Sequence, residues 1–168
     1  MKWKLIFALA LVAVGVAAVG GEVRATPSNA LFSSSTIARA QLDELDIKSQ
    51  LDPNVWKLML KTKGFSDLYV QQNVFKPGAT SGWHTHPGPS LITVTQGTVT
   101  VYDGDDPTCT PHEYSASPQG TGFVDIGGGA VHVIRNEGTV DAQTIVVQLI
   151  PAGAARRIDA SDPGTCGF

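Results

Sequence analysis

The chain has 168 residues, of which 42% are hydrophobic and 16% are charged, and its formal net charge at pH 7 is −3. This length suits one globular domain of ordinary size. A small negative charge without a basic cluster excludes a nucleic-acid-binding protein that relies on the usual electrostatic attraction to phosphates.

The N-terminus has the pattern of an export signal. Lys2 and Lys4 begin an apolar run over residues 5–19, and Val23-Arg24-Ala25 has the small residues of a cleavage site. We therefore predict that residues 1–25 are a signal peptide and that the mature protein is periplasmic or extracellular, with no membrane attachment. The alternative is an uncleaved anchor, although the run is short for a span of about 20 residues.

The next segment is predicted to lead into the domain. Residues 26–36 are rich in Ser, Asn and Pro and are predicted to form a flexible lead-in. Residues 37–50 alternate between apolar and polar with one shift, which favours a strand with a bulge, whereas Leu42 and Leu45 also fit a short helix. The predicted domain spans residues 37–155.

The rest of the chain is typical of a protein made of short strands. Turn residues separate segments rich in β-branched side chains, a pattern that indicates an all-β barrel or sandwich. The turn at Gln96-Gly97 predicts a hairpin between its flanking strands, and residues 103–117 are predicted to be a loop. The predicted strands cover residues 56–61, 68–75, 91–95, 98–102, 122–126, 131–135 and 144–150.

The two cysteines, Cys109 and Cys166, are predicted to form a disulfide, because two cysteines in an exported protein usually pair. The bridge would hold the C-terminal tail, residues 156–168, against the domain. The alternative is a pair of free thiols.

Three of the four histidines lie in two short segments. His84 and His86 are two residues apart, so in a strand they face the same side. If His132 comes from a neighbouring strand, the three imidazoles can form one face of a metal site.

These segments resemble the two sequence motifs of the cupin superfamily. The spacing of the first motif is matched at Gly78, His84, His86 and Gly97, and that of the second at Gly129, His132 and Asn136. There are two departures: Ser90 stands in place of the usual glutamate ligand, and Gly127 stands in place of a proline. The resemblance implies an all-β double-stranded β-helix, the jelly-roll barrel of the cupins.

The histidines are the candidate ligands of a divalent transition metal: Fe, Mn, Zn, Ni or Cu. Since Ser90 is a poor ligand, the site has three ligands or takes a fourth from elsewhere. Gln72 on the preceding strand is the first candidate, followed by Glu113 or His112. The alternative is a hydrogen-bonded histidine cluster that binds no metal. Two neighbours are predicted to be structural, Trp83 in the core and Asn136 as the cap of a turn.

The resemblance implies that the protein binds a small-molecule ligand or substrate. A three-histidine site is similar to the iron sites of thiol dioxygenases in the wider cupin group, so an oxygenase-like enzyme is the first hypothesis. Isomerase or lyase chemistry is equally permitted by the residues. A second hypothesis is a non-catalytic small-molecule or metal-binding module, and a third is a structural barrel. Cupin barrels commonly pair through sheet edges, so a homodimer is expected.

Overall fold

The computed structural model describes residues 25–52, 54–117 and 120–168, so the predicted signal peptide lies outside the described residues except for Ala25. Every regular element in this part of the chain is a strand. The strands are β1 (Phe32–Leu42), β2 (Asp46–Asp52), β3 (Trp56–Lys61), β4 (Ser66–Phe75), β5 (His84–Thr85), β6 (Ser90–Gln96), β7 (Thr98–Asp103), β8 (His112–Ser115), β9 (Gly122–Asp125), β10 (His132–Arg135), β11 (Ala142–Pro151) and β12 (Ile158–Asp159).

Ten of these strands form two five-stranded antiparallel sheets, in the orders β1-β4-β11-β6-β9 and β12-β5-β10-β7-β8. Apolar side chains from both sheets form a common core that includes Phe75 and Val94 from the first sheet and Val99, Val101 and Ile134 from the second. The predicted all-β fold is therefore confirmed. Among the residues that the structure describes, none forms a helix with the length and apolar character needed to cross a membrane.

The central strand β11 shows how the first sheet separates its two faces. Thr144, Val146, Gln148 and Ile150 are buried on the inner face, and the residues between them are more exposed. This period of two is the ordinary consequence of a pleated strand. Two of the four inward residues are polar, which indicates that the inner face borders a polar site as well as the apolar core.

The predicted hairpin around Gln96-Gly97 is wrong. β6 pairs with β11 and β9, whereas β7 pairs with β10 and β8, so the turn carries the chain from one sheet to the other. Gly97 has a φ of 63°, and a Cβ added there would lie 2.6 Å from the carbonyl oxygen of Asp141. A tight glycine turn serves a corner between sheets as well as a hairpin, and the local sequence does not distinguish the two.

The predicted loop over residues 103–117 is also partly wrong, because it contains β8, which pairs with β7. Tyr114 in this strand packs against Phe123, with ring centroids 4.5 Å apart. Its neighbours His112 and Glu113 are exposed, as expected for a solvated pair. The strand was not predicted from the sequence because it is only four residues long and contains a single apolar side chain.

Strand pairing extends beyond both predicted limits of the domain. β1 begins at Phe32, inside the predicted flexible lead-in, because the serines that follow pair through their backbone with β4. Its bulge lies between Thr36 and Ala38. Residues 37–42 belong to β1 and residues 46–50 to β2, with residues 43–45 between them. The extended conformation is therefore confirmed over the helix, but as two strands in different sheets and not as one strand with a bulge. At the other end, β12 in the tail pairs with β5.

The predicted disulfide is confirmed. Cys109 and Cys166 are bonded, with their Cα atoms 5.3 Å apart, a separation within the normal range for disulfides. Cys166 is buried among Trp83, Tyr102 and Val133, on the outer side of the second sheet. The C-terminal tail is thereby fastened to the barrel.

Candidate metal centre

Three of the histidines come together through the pairing of two short strands. His84 on β5 and His132 on β10 are direct cross-strand partners, and His86 follows two residues after His84. One ring nitrogen of each lies within 4.8 Å of the others, the spacing of a group that could hold a metal ion. The His-x-His spacing and the later histidine thus meet as the sequence predicts.

Backbone carbonyls determine which nitrogens of two imidazoles are free. Nδ1 of His84 lies 2.9 Å from the carbonyl oxygen of Gly82, and Nδ1 of His86 lies 2.6 Å from that of Arg156. A carbonyl oxygen only accepts, so we assign the proton to each Nδ1 as the donor; the side-chain Nε2 of Gln148 also lies 2.9 Å from Nδ1 of His86. Each Nε2 therefore keeps its lone pair, which is the state needed for metal ligation.

Burial keeps the three imidazoles neutral. It lowers the pKa of His84 well below its usual range, with a further lowering from His132 and Arg157. It also lowers the pKa of His86, and it lowers that of His132 to about 4 despite the opposing effect of the Asp125 carboxylate. Because the charged form of a buried imidazole is disfavoured, no proton competes with a metal ion at neutral pH.

The histidines face a cavity of about 130 Å³ between the two sheets. One part of its wall is apolar and consists of Phe32, Phe75, Ile92, Ile134 and Val146. The other part is polar and includes the histidines, Gln71, Ser90, Asp125, Gln148, Arg156 and Arg157. The site therefore combines metal-ligating groups with a lining suited to a small organic molecule.

The structure does not bring the predicted fourth ligands to the histidines. Gln72 lies beside the outward residue Ile145 of β11 and donates to Oε1 of Gln143 over 3.0 Å. Its neighbour Gln71 faces the cavity instead. The sequence does not determine which of the two glutamines faces inward, because a shift of one residue exchanges the two faces of a strand. Neither His112 nor Glu113 lines the cavity.

Ser90 lies where the cupin motif has its glutamate, and it is buried. Its hydroxyl accepts a hydrogen bond of 3.3 Å from Nε2 of Gln148, which also donates to the carbonyl oxygen of Arg156 over 3.0 Å. Gln148 therefore connects Ser90 to the same carbonyl that orients His86. This role of Gln148 was not predicted from the sequence.

Asp125 is the second residue that the sequence did not reveal. Its carboxylate lies 3.7 Å from Nε2 of His86 and 3.7 Å from Nδ1 of His132. Oδ1 accepts a hydrogen bond of 3.0 Å from the amide of Gly127, whereas the buried Oδ2 has no hydrogen-bond partner among the residues that the structure describes. The only available signal was an aspartate at the end of a predicted strand, which is too common to indicate a site.

Two structural roles predicted from the sequence are confirmed. Asn136 is buried, and its Nδ2 donates to the carbonyl oxygens of Phe75 and Val140, each over 2.8 Å. Its Oδ1 accepts from the amide of Gly138 over 3.0 Å, which caps the turn after β10. Trp83 is buried in the outer cluster that surrounds the disulfide.

The donor set fits a divalent transition metal. Three neutral imidazoles are ligands for Zn, Fe, Cu and Ni. Beside them, Oδ2 of Asp125 has no hydrogen-bond partner among the described residues that would offset the cost of its burial. The histidines can therefore hold a metal ion, and the residues alone do not select one metal.

No protein-family model matches the sequence, and no curated protein matches it significantly. Among solved structures, the polyketide cyclase RemF from Streptomyces resistomycificus is similar at a TM-score of 0.50, with 15% identity over 92% of this chain and 90% of that chain. A protein with a double-stranded β-helix domain from Klebsiella pneumoniae subsp. pneumoniae has a TM-score of 0.47 and 18% identity, over 80% of this chain and 89% of that chain.

A sugar phosphate isomerase of the cupin superfamily from Silicibacter pomeroyi has a TM-score of 0.41 and 22% identity, over 50% of this chain and 51% of that chain. These identities are low, so the likeness concerns the fold. The antiparallel two-sheet barrel agrees with the all-β jelly-roll fold that the resemblance to the cupin motifs implies, and the likeness to RemF is a likeness of fold alone.

Proposed function

We propose that this protein is an exported, metal-dependent cupin enzyme that acts on a small molecule, with oxygenation as the first reaction to test. The observation that carries the proposal is the group of three neutral histidines that faces an interior cavity. Three protein ligands leave positions at a metal ion for a second molecule, as catalytic sites require.

Export is supported by two independent features. Residues 1–25 have the composition of a signal peptide, and Cys109 and Cys166 form a disulfide. Disulfides persist in oxidising compartments. We therefore place the mature protein, beginning after Ala25, in the periplasm or outside the cell.

The residues around the cavity suggest how a substrate is held. The apolar side chains of Phe75, Ile92 and Val146 can pack against a carbon skeleton and exclude water from it. Arg156 and Arg157 bring positive charge to the other side of the cavity, which favours a substrate with an acidic or other electron-rich group. A bound divalent metal would act as a Lewis acid that polarises an oxygen of the bound molecule or lowers the pKa of a water.

A non-catalytic binding protein is the second candidate, and one observation favours it. Apart from the three histidines and Asp125 beside them, the titratable side chains that line the described cavity are Arg156 and Arg157. An arginine remains protonated at neutral pH and is a poor general base. Tight metal binding without consumption of oxygen or conversion of any offered small molecule would favour this candidate.

The decisive test is elemental analysis of the mature protein, purified from the exported fraction, beside a His84→Ala/His132→Ala variant. We expect close to one equivalent of iron, manganese, nickel, copper or zinc in the wild type and its loss in the variant. A metal-free wild type, even after reconstitution, would contradict the enzyme proposal. The metal found then selects the chemistry to screen, beginning with an oxygen electrode for iron or copper.

The homodimer expected from the sequence remains a prediction. Its support is the edge strand β1, which pairs with β4 on one side and is mostly exposed along its length, since an open sheet edge can pair with another chain. Sedimentation velocity of the mature protein tests it: the mass of two chains is expected, and the mass of one chain would contradict it.

A further inference from the structure

We propose that Asp125 is the fourth protein ligand of the metal centre and that it supplies the carboxylate that Ser90 lacks. This inference rests on the proposed function, because it concerns the same three-histidine site. It adds a ligand from β9, a strand that contributes none of the three histidines.

Asp125 lies next to Ser90 in the first sheet. Asp125 and Ser90 are direct cross-strand partners in the antiparallel pair of β6 and β9, so their side chains lie side by side on the same face. Both line the cavity beside the histidines. A carboxylate on β9 therefore reaches the same part of the site as a carboxylate at position 90 on β6.

Asp125 is also close to the free ring nitrogen of His86. The carboxylate Oδ2 lies 3.7 Å from Nε2 of His86, the nitrogen left free by the bond from Nδ1 to Arg156. Two donors bound to one ion at about 2.1 Å, with an angle of about 90 to 120° between them, lie about 3.0 to 3.6 Å apart. A small movement of either side chain thus allows both atoms to bind the same ion.

The carboxylate of Asp125 is buried without a cationic side chain beside it. Only 6% of its side chain is exposed, and Oδ2 has no hydrogen-bond partner within the described ranges of the chain. Among the residues that the structure describes, no lysine or arginine forms an ion pair with it. A buried carboxylate without a cationic partner is costly, and a divalent cation between Asp125 and the histidines would offset that cost.

Gly127 explains how the carboxylate is oriented. Its amide donates to Oδ1 of Asp125 over 3.0 Å, which leaves Oδ2 directed at His86. A proline at this position would have no N–H to donate. The two departures from the cupin motif, Ser90 and Gly127, therefore belong together: one removes a carboxylate from β6, and the other provides the amide that holds a carboxylate on β9.

The test compares Asp125→Asn with Asp46→Asn, a control that makes the same change at an exposed carboxylate on the β2–β3 hairpin, in otherwise full-length mature protein. Cobalt(II) is titrated into each chelator-treated protein in competition with a chromophoric chelator, and the visible absorption of the bound cobalt is recorded. We expect Asp125→Asn to weaken cobalt binding by at least about 10-fold and to change the cobalt spectrum. Asp46→Asn should leave both the affinity and the spectrum close to those of the wild type.

Failure of the inference and failure of the proposed function are distinguishable. A wild type that binds no cobalt contradicts the metal centre itself. A wild type that binds cobalt, together with an Asp125→Asn variant of equal affinity and spectrum, overturns the role of Asp125 alone. A weaker affinity with an unchanged spectrum also overturns it as a ligand, because Asp125 would then act only by positioning the histidines.

A second measurement keeps the inference testable if Asp125→Asn does not fold. The infrared difference spectrum of the wild type, with and without cobalt, is expected to show a shift of carboxylate stretching bands. Carboxylate bands that do not move when cobalt binds would overturn the ligand role of Asp125.

Discussion

The barrel interior and the β2–β3 hairpin have similar strand-like sequences and opposite environments. In the barrel, Phe75 and Ile150 are each only 1% exposed, whereas Leu51 and Met59 of the hairpin are 95% and 69% exposed. The hairpin forms a sheet of its own, and an isolated pair of strands is marginally stable in water. The comparison shows that alternation determines the strand, while burial depends on whether another sheet covers its apolar face.

The strongest way to test this contrast is to make the same substitution inside and outside the barrel. Phe75→Ala should lower the free energy of unfolding by about 3 to 5 kcal/mol, because it leaves a cavity in the core. Phe65→Ala is the matched control, since this ring is 60% exposed, and it should cost less than about 1 kcal/mol. Urea denaturation of both variants measures the difference, and equal losses would contradict the assignment of the core.

The disulfide fastens the C-terminal tail to the barrel, whereas the hairpin contains no cysteine and has no such cross-link. Cys109→Ala/Cys166→Ala should lower the free energy of unfolding by about 4 kcal/mol, because the bridge closes a loop of 57 residues in the unfolded chain. Thermal denaturation of the variant, beside wild type with and without a reductant, measures the loss. A reduced wild type as stable as the oxidised one would contradict this contribution.

The buried histidines predict a pH dependence that exposed side chains do not produce. Unfolded His132 takes up a proton near pH 6.5, whereas burial lowers its pKa in the folded protein to about 4. The unfolded state therefore binds more protons between these values, and His132 alone should lower the free energy of unfolding by about 3 kcal/mol as the pH falls from 6.5 to 4. His84 and His86, whose pKa values burial also lowers, add to this fall.

This dependence is measured by denaturation of chelator-treated protein at several pH values. His132→Gln should make the profile less steep over this range, with the remaining slope due to His84 and His86, whereas the exposed control His112→Gln should leave the steepness unchanged. A wild-type profile that is already flat between pH 4 and 6.5 would mean that His132 is not buried as neutral imidazole.

The smallest effect is expected on the hairpin. Met59→Ser should change the free energy of unfolding by less than about 0.5 kcal/mol, because its side chain is mostly exposed. The ion pair between Lys61 and Asp46 on the same hairpin, at 2.8 Å and largely exposed, should likewise contribute little. A loss above about 1 kcal/mol for Met59→Ser would show that the hairpin is covered in solution, and its dependence on protein concentration would identify a second copy as the cover.

The sequence by itself determined the longer strands, the disulfide and the group of three histidines. Alternating β-branched segments determine strands because successive side chains point to opposite faces. His84 and His86 were predictable for the same reason, since a spacing of two places both on one face. Asn136 was predictable because a local turn needs its side-chain amide.

Only the tertiary structure decided which strands pair and which faces meet. The turn at Gly97 carries the chain between the sheets. Gln71 rather than Gln72 faces the cavity, because the pairing with neighbouring strands decides which of two successive residues points inward. Asp125 reaches the histidines through its pairing with Ser90, a residue 35 positions away along the chain. Such contacts between distant residues arise from the packing of whole strands, and no local spacing in the sequence encodes them.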